Sequence, residues 1–147
     1  MDYLDTSLIV AVLTNEVATG PTQAWLAGRP VQELYISEWV LTEVSSALSI
    51  KVRVGEISVD RRAMALGFFR QMAAESFTIL PLSSSHFHAA ARLSDQHELV
   101  LRAGDALHLA VAVDAGARLC TLDKRLSEAG RKVGASVLLL PSEALNG

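Results

Sequence analysis

The chain has one cysteine, Cys120, so no disulfide can form within it. That excludes a small fold stapled by disulfides. Cys120 lies in an apolar strand-like run and reads as a buried thiol in a reducing compartment. Long hydrophobic runs are also missing: the longest, such as Leu8 to Leu13, are far too short to span a bilayer. No secretory leader is read at the start, where Asp2 and Asp5 interrupt the apolar pattern. A cytoplasmic location without a membrane partner is therefore expected. Positive charge is not in excess either. Lys and Arg number 13 against 16 Asp and Glu, a formal net charge of −3, so the chain as a whole does not advertise polyanion binding. A local basic rim remains open, drawn from Lys51, Arg53, Arg61, Arg62, Arg102, Lys124 and Arg125, although each taken singly also suits a solvated helix face. Repeats, low-complexity tracts and linkers are absent from the pattern.

What is present is apolar. Half of the 147 residues are hydrophobic and mean hydropathy is +0.31, which excludes disorder and supports one domain over residues 1–147 with a real core. This is rather apolar for a small monomer and favours a subunit or partner interface.

Strand-like and helix-like patterns alternate. Tyr3-Leu4 reads as a first strand leading into a helix over Ser7–Leu13. Gly20-Pro21 reads as a breaker, with Pro21 in the first turn of a short helix closed by Gly28 and Pro30. Leu34–Ile36 is a second strand, and Ser37 an N-cap for a helix over Glu38–Val54 stopped by Gly55. Further helices are expected over Ser58–Ala74, Ser83–His97, from Gly104-Asp105 to Gly116, and from Lys124 to a stop at Gly130. Further strands are expected at Phe77–Leu80, Arg118–Thr121 and Val137–Leu140. Strands separated by helices call for a three-layer α/β/α architecture with a mostly parallel sheet of roughly five strands.

Four acids stand out. Asp5, Asp105 and Asp123 each precede a helix-like run, where an aspartate caps free amides. Glu43 borders the apolar stripe of its helix, where a carboxylate is costly unless paired, protonated or bound to a cation. Glu38, Asp60, Glu75, Asp95, Glu98, Asp114, Glu128 and Glu143 suit solvated faces or caps. In an open parallel sheet, ligands gather beyond the carboxyl ends of the strands where strand order reverses. Asp5 and Asp123 sit at two such ends, and Asp105 and Glu43 can reach the same edge from their helices. Crowded carboxylates repel unless a hard divalent cation holds them. His108, three residues after Asp105, has no second histidine or cysteine at zinc-ligand spacing and reads as a packing residue. His86, His88 and His97 read as surface.

Four segments carry a family resemblance: Tyr3-Leu4-Asp5-Thr6-Ser7; Ser37-Glu38-Trp39-Val40-Leu41-Thr42-Glu43; Arg102-Ala103-Gly104-Asp105-Ala106-Leu107-His108-Leu109-Ala110; and Leu119-Cys120-Thr121-Leu122-Asp123. In this order and at these separations the chain resembles the PIN-domain ribonucleases, and among them the VapC-like toxins of type II toxin–antitoxin pairs. The resemblance implies a metal-dependent endoribonuclease that uses one or two Mg²⁺ or Mn²⁺ ions and leaves 5′-phosphate and 3′-hydroxyl ends. It implies a metal site of Asp5, Asp105, Asp123 and Glu43, a homodimer, and a cognate antitoxin. Thr6 and Thr121 would orient a carboxylate or a water, with Ser7 contributing less, and Arg102, Lys124 and Arg125 would meet RNA phosphates. A phosphoaccepting receiver would want an acidic pair after strand one and a lysine after its last strand, where this chain has Asp5-Thr6 and Leu140-Pro141. A haloacid-dehalogenase-like phosphatase would need an aspartate at Ser7. A PIN-fold module that binds RNA or protein without catalysis is the remaining alternative.

Overall fold

The computed structural model describes residues Met1–Leu140. Five strands form one parallel sheet: β1 (Asp2–Leu4), β2 (Leu34–Ser37), β3 (Thr78–Leu80), β4 (Arg118–Thr121) and β5 (Val137–Leu139), in spatial order β3-β2-β1-β4-β5. The chain moves outward from β1 through β2 to β3, then returns to add β4 on the other side of β1. The strand order therefore reverses between β1 and β4, whose carboxyl ends open side by side.

Seven helices among the described residues connect and cover the sheet: α1 (Thr6–Leu13), α2 (Thr19–Ala27), α3 (Glu38–Arg53), α4 (Val59–Ser76), α5 (Ser84–Asp95), α6 (Ala103–Asp114) and α7 (Lys124–Lys132). Side chains alternate along each strand, and the two faces take different partners. Leu4, Ile36, Cys120 and Leu138 point into a core with α1, α3 and α4. Tyr3, Leu119 and Val137 point the other way, into a core with α6 and α7, against which α5 stacks. The three-layer α/β/α arrangement expected from the alternation is the one observed. Cys120 is fully buried, and desolvation pushes its thiol up to about 12, so it is inert at neutral pH.

Several local expectations shift. Pro21 stands in the first turn of α2 as expected, but Gly20-Pro21 is no breaker: the helix already begins at Thr19 and runs through both, because the missing proline donor has no partner to lose there. The Ser83–His97 segment ends its α-helix at Asp95 and continues as a 3₁₀ turn over His97–Leu99. Gly130 does not close α7, which runs to Lys132. A Cβ at Gly130 would lie 2.7 Å from Val137 Cγ2, so glycine is there to let helix and strand approach. Gly130→Ala should therefore destabilise the fold by about 1–2 kcal/mol, overpacking outweighing the gain in helix propensity. Urea melts of the variant check this; an unchanged midpoint would show that Val137 moves aside freely.

Asp2, at the opposite end of β1 from Asp5, is 2% exposed and receives both Arg118 (2.9 Å) and Arg29 (2.9 Å). Burial alone would raise its pKa, but the two guanidiniums hold it below the ordinary value. No local sequence pattern marks this structural ion pair, because Arg29 and Arg118 lie 27 and 116 positions from Asp2. Of the surface assignments, Glu143 lies outside the described residues. No helix among the described residues is long and apolar enough to cross a membrane.

Candidate active site

Asp5 follows β1 and is the N-cap of α1. Its Oδ1 accepts from Ser7 Oγ (2.7 Å) and Leu8 N (3.2 Å), and its Oδ2 from Thr121 Oγ1 (2.5 Å). Thr121 is the last residue of β4, so this bond ties the two strand ends together across the point of reversal. Asp5 is almost wholly buried. Burial raises its pKa, only partly offset by His108 and by the hydrogen bonds from Thr121, Ser7 and Leu8. Ser7, rated a minor residue from sequence, also accepts from Leu122 N (3.1 Å) and so braces both strand ends.

Asp123 follows β4 and caps α7 as expected, its Oδ1 accepting from Arg125 N (2.8 Å) and Leu126 N (3.3 Å). Asp105 departs from the capping expectation. Helix α6 begins at Ala103 with Arg102 as N-cap, which places Asp105 in the first turn. Its carboxylate faces the positive helix end, and neither of its oxygens forms a hydrogen bond among the described residues. Burial comes first, and then the charges of Asp123, Asp5 and Glu43, in pushing its pKa to about 6, with His108 opposing them. That mutual influence places the four acids in one electrostatic neighbourhood.

Glu43 enters from the second turn of α3. Its Oε1 accepts from Thr6 Oγ1 (2.7 Å) and from His108 Nε2 (2.5 Å). Burial raises its pKa, but these two bonds bring it below the ordinary value. Gly104 of α6 leaves room beside the other oxygen: a Cβ there would lie 3.0 Å from Glu43 Oε2 and 3.3 Å from Trp39 Nε1, a buried N–H with no hydrogen-bond partner among the described residues.

His108 is not simply a packing residue. It is 2% exposed on α6, its Nδ1 is 2.8 Å from the Tyr3 hydroxyl, and that hydroxyl is 2.8 Å from Ser37 Oγ. A carboxylate only accepts, so His108 Nε2 carries the hydrogen toward Glu43. The row Ser37–Tyr3–His108–Glu43–Thr6 is thus a polar strut from β2 across β1 to the site, buried as far as His108 and partly buried at Glu43 and Thr6. One signal of it was available in the sequence: His108 is a lone imidazole among Ala106, Leu107, Leu109 and Ala110, where a polar ring needs partners. His86 corrects a second assignment. It is buried, with Nδ1 accepting from Ser83 N (3.0 Å) and Nε2 2.9 Å from Asp114, while His88 and His97 are exposed.

A cleft of about 350 Å³ is lined by Val100, Arg102, Asp105, Asp123, Lys124 and Arg125. The three cations are exposed and in no ion pair among the described residues. Other members of the expected basic rim are engaged elsewhere: Lys51 pairs with Glu16 and Glu56, and Arg62 donates to Ser45 O. Among the described residues no three His, Cys, Asp or Glu side chains form a ready-made metal-binding group. The donor set nonetheless suits a hard cation that keeps several waters. It is carboxylate only, with unshared oxygens on Asp105, Asp123 Oδ2 and Glu43 Oε2.

Fold and site together define an open parallel α/β protein with an acidic centre at its topological switch point. The PIN domain family model matches residues 3–132, and the chain belongs to that family. None of the curated proteins compared with it gives a significant match. Solved structures share the fold at low identity. VapC20 of Mycobacterium tuberculosis, described as a toxin cleaving the sarcin–ricin loop, is 19% identical with a TM-score of 0.72, the match covering 88% of this chain and 95% of that one. The FitAcB structure from Neisseria gonorrhoeae is 18% identical with a TM-score of 0.68, covering 94% and 96%. VapBC2 of Rickettsia felis, solved bound to a fragment of its promoter DNA, is 19% identical with a TM-score of 0.68, covering 96% and 100%.

Proposed function

We propose that this protein is a divalent-metal-dependent endoribonuclease and the toxin of a VapBC-type pair, acting in the cytoplasm as one PIN-like unit over residues 1–147. The carrying observation is the meeting of Asp5, Glu43, Asp105 and Asp123 at the switch point, with open oxygens on three of them and three unpaired cations alongside. Membership of the PIN family and the RNA-cleaving description of VapC20 support the same reading.

Asp5, Asp105, Asp123 and Glu43 would hold Mg²⁺ or Mn²⁺, as one ion or two. When bound, the metal supplies Lewis-acid polarisation of a phosphate and a water acidic enough to attack near neutral pH. The chain's own residues do the positioning. Thr121, Ser7 and Leu8 N fix Asp5, and Thr6 and His108 fix Glu43, so that these carboxylates need little reorganisation. Arg102, Lys124 and Arg125 neutralise RNA phosphates and set the register of the strand. The products would carry 5′-phosphate and 3′-hydroxyl ends.

A homodimer and a cognate antitoxin complete the reading, and the toxin–antitoxin complexes among the structural neighbours support the second. A groove of about 730 Å³ beside α1 and α4, where exposed Met64 and Phe68 stand next to the Lys51 ion pairs with Glu16 and Glu56, offers a protein partner a mixed apolar and charged seat.

Purified protein incubated with structured RNAs should cut them in Mg²⁺ or Mn²⁺, and EDTA or Asp5→Asn should stop the cutting. Equal cutting by Asp5→Asn would assign the activity to a contaminant. No cutting across a broad RNA panel would favour a binding module instead.

A further inference from the structure

Val100 joins the 3₁₀ turn to α6 with φ 56° and ψ 38°. It is the only non-glycine residue at positive φ among the described residues. A β-branched side chain in the left-handed region crowds its own backbone, and such a conformation persists only where the surroundings impose it. Here they do. Leu99 is buried, Leu101 packs against two core clusters, and Arg102 must be extended to start α6. Two anchored leucines around one residue force the turn.

Glycine would make that turn without strain. Valine adds nothing to the core, since Val100 is 63% exposed. It instead lines the charged cleft, where it is the one apolar residue among Arg102, Asp105, Asp123, Lys124 and Arg125. Cations hold phosphates without reading sequence, whereas an apolar group beside them can meet the face of an unstacked base.

We infer that Val100 is a nucleobase contact: the strained turn presents its side chain to a base of the RNA whose phosphates Arg102, Lys124 and Arg125 hold. This inference rests on the ribonuclease reading above.

The test compares wild type, Val100→Gly and Val100→Leu for binding to a fluorescein-labelled twelve-nucleotide RNA and to an abasic strand of equal length. Ca²⁺ replaces Mn²⁺ to keep the RNA intact. Val100→Gly should melt about 2–4 °C higher, because strain is relieved. Its Kd for the RNA should rise about 3- to 10-fold with affinity for the abasic strand unchanged, and Val100→Leu should bind the RNA like wild type. Unchanged RNA affinity in Val100→Gly, with wild type still cutting RNA in Mn²⁺, would overturn the base contact and leave the nuclease reading standing. An equal loss on the abasic strand would also overturn it, assigning Val100 to backbone geometry. A lower melting temperature for Val100→Gly would remove the strain argument and the inference with it. Wild type that neither binds nor cuts RNA would overturn both.

Discussion

Asp105→Asn should make the protein more stable and abolish cleavage. Asp105 is partly buried, has no hydrogen-bond partner among the described residues, and feels three other carboxylates, so its pKa stands at about 6 in the metal-free protein. This folded-state value lies above the ordinary aspartate value of 3.8. Between those two pH values the native state binds the extra proton, so stability falls as pH rises through the window and stays low above it. An uncharged amide removes that cost. The gain near neutral pH should be about 1–2 kcal/mol, discounted for the solvent reaching the group, and should vanish below about pH 4. Cleavage, by contrast, should fall on the order of 10³-fold or more, since a direct metal contact is lost. Mn²⁺ should raise the melting temperature of wild type and leave the variant unmoved, because only the native wild-type site binds the ion. Calorimetric melts from pH 4 to 8, with and without Mn²⁺, separate these effects. If Asp105→Asn is less stable than wild type at pH 7, the repulsion argument fails. If it retains wild-type cleavage, Asp105 is not part of the centre. In a growth assay the same substitution should relieve arrest caused by induced expression.

His108→Ala should lose stability and metal affinity together. The imidazole is 2% exposed and bridges Tyr3 and Glu43. Removing it leaves a cavity, leaves Tyr3 bonded only to Ser37, and leaves Glu43 held only by Thr6. The combined loss should be about 2–4 kcal/mol. Freed from its orienting partner, Glu43 should hold Mn²⁺ about 10- to 100-fold less tightly. His108→Gln keeps an N–H that can reach Glu43 and an oxygen for Tyr3, so it should recover most of the Mn²⁺ affinity. Titration calorimetry on all three proteins decides the point. Unchanged Mn²⁺ affinity in a folded His108→Ala variant would reduce the strut to a structural feature.

The acids were legible because each stands at a junction that pattern alone reveals. Asp5 and Asp123 sit where an apolar run ends and a helix begins, and they cap those helices as read. Glu43 was legible as a charge on an apolar stripe. Asp105 is not the cap its position suggests. It read as a cap, but one turn of register moves it inside α6 and leaves its oxygens open, which serves a ligand better. Less visible were the groups that hold the acids still. Ser7, Tyr3, Ser37 and His108 are ordinary residues at strand ends and on an apolar helix. Nothing local says that a histidine on α6 meets a glutamate 65 positions away on α3. Asp2 shows the converse: an acid beside Asp5 in sequence faces the other end of β1 and neutralises two arginines.

By itself the sequence determined the layer architecture, because alternating strand and helix periods allow little besides a covered parallel sheet. It also marked Asp5 and Asp123 as acids at strand-to-helix junctions, where they cap α1 and α7. Only the tertiary structure decided the strand order that brings β1 and β4 together, and with it the meeting of Asp5 with Thr121. It alone decided the polar strut behind Glu43 and the strained turn at Val100. Those features depend on contacts between residues far apart in the chain, and such contacts are set by how whole faces pack, which no local pattern records.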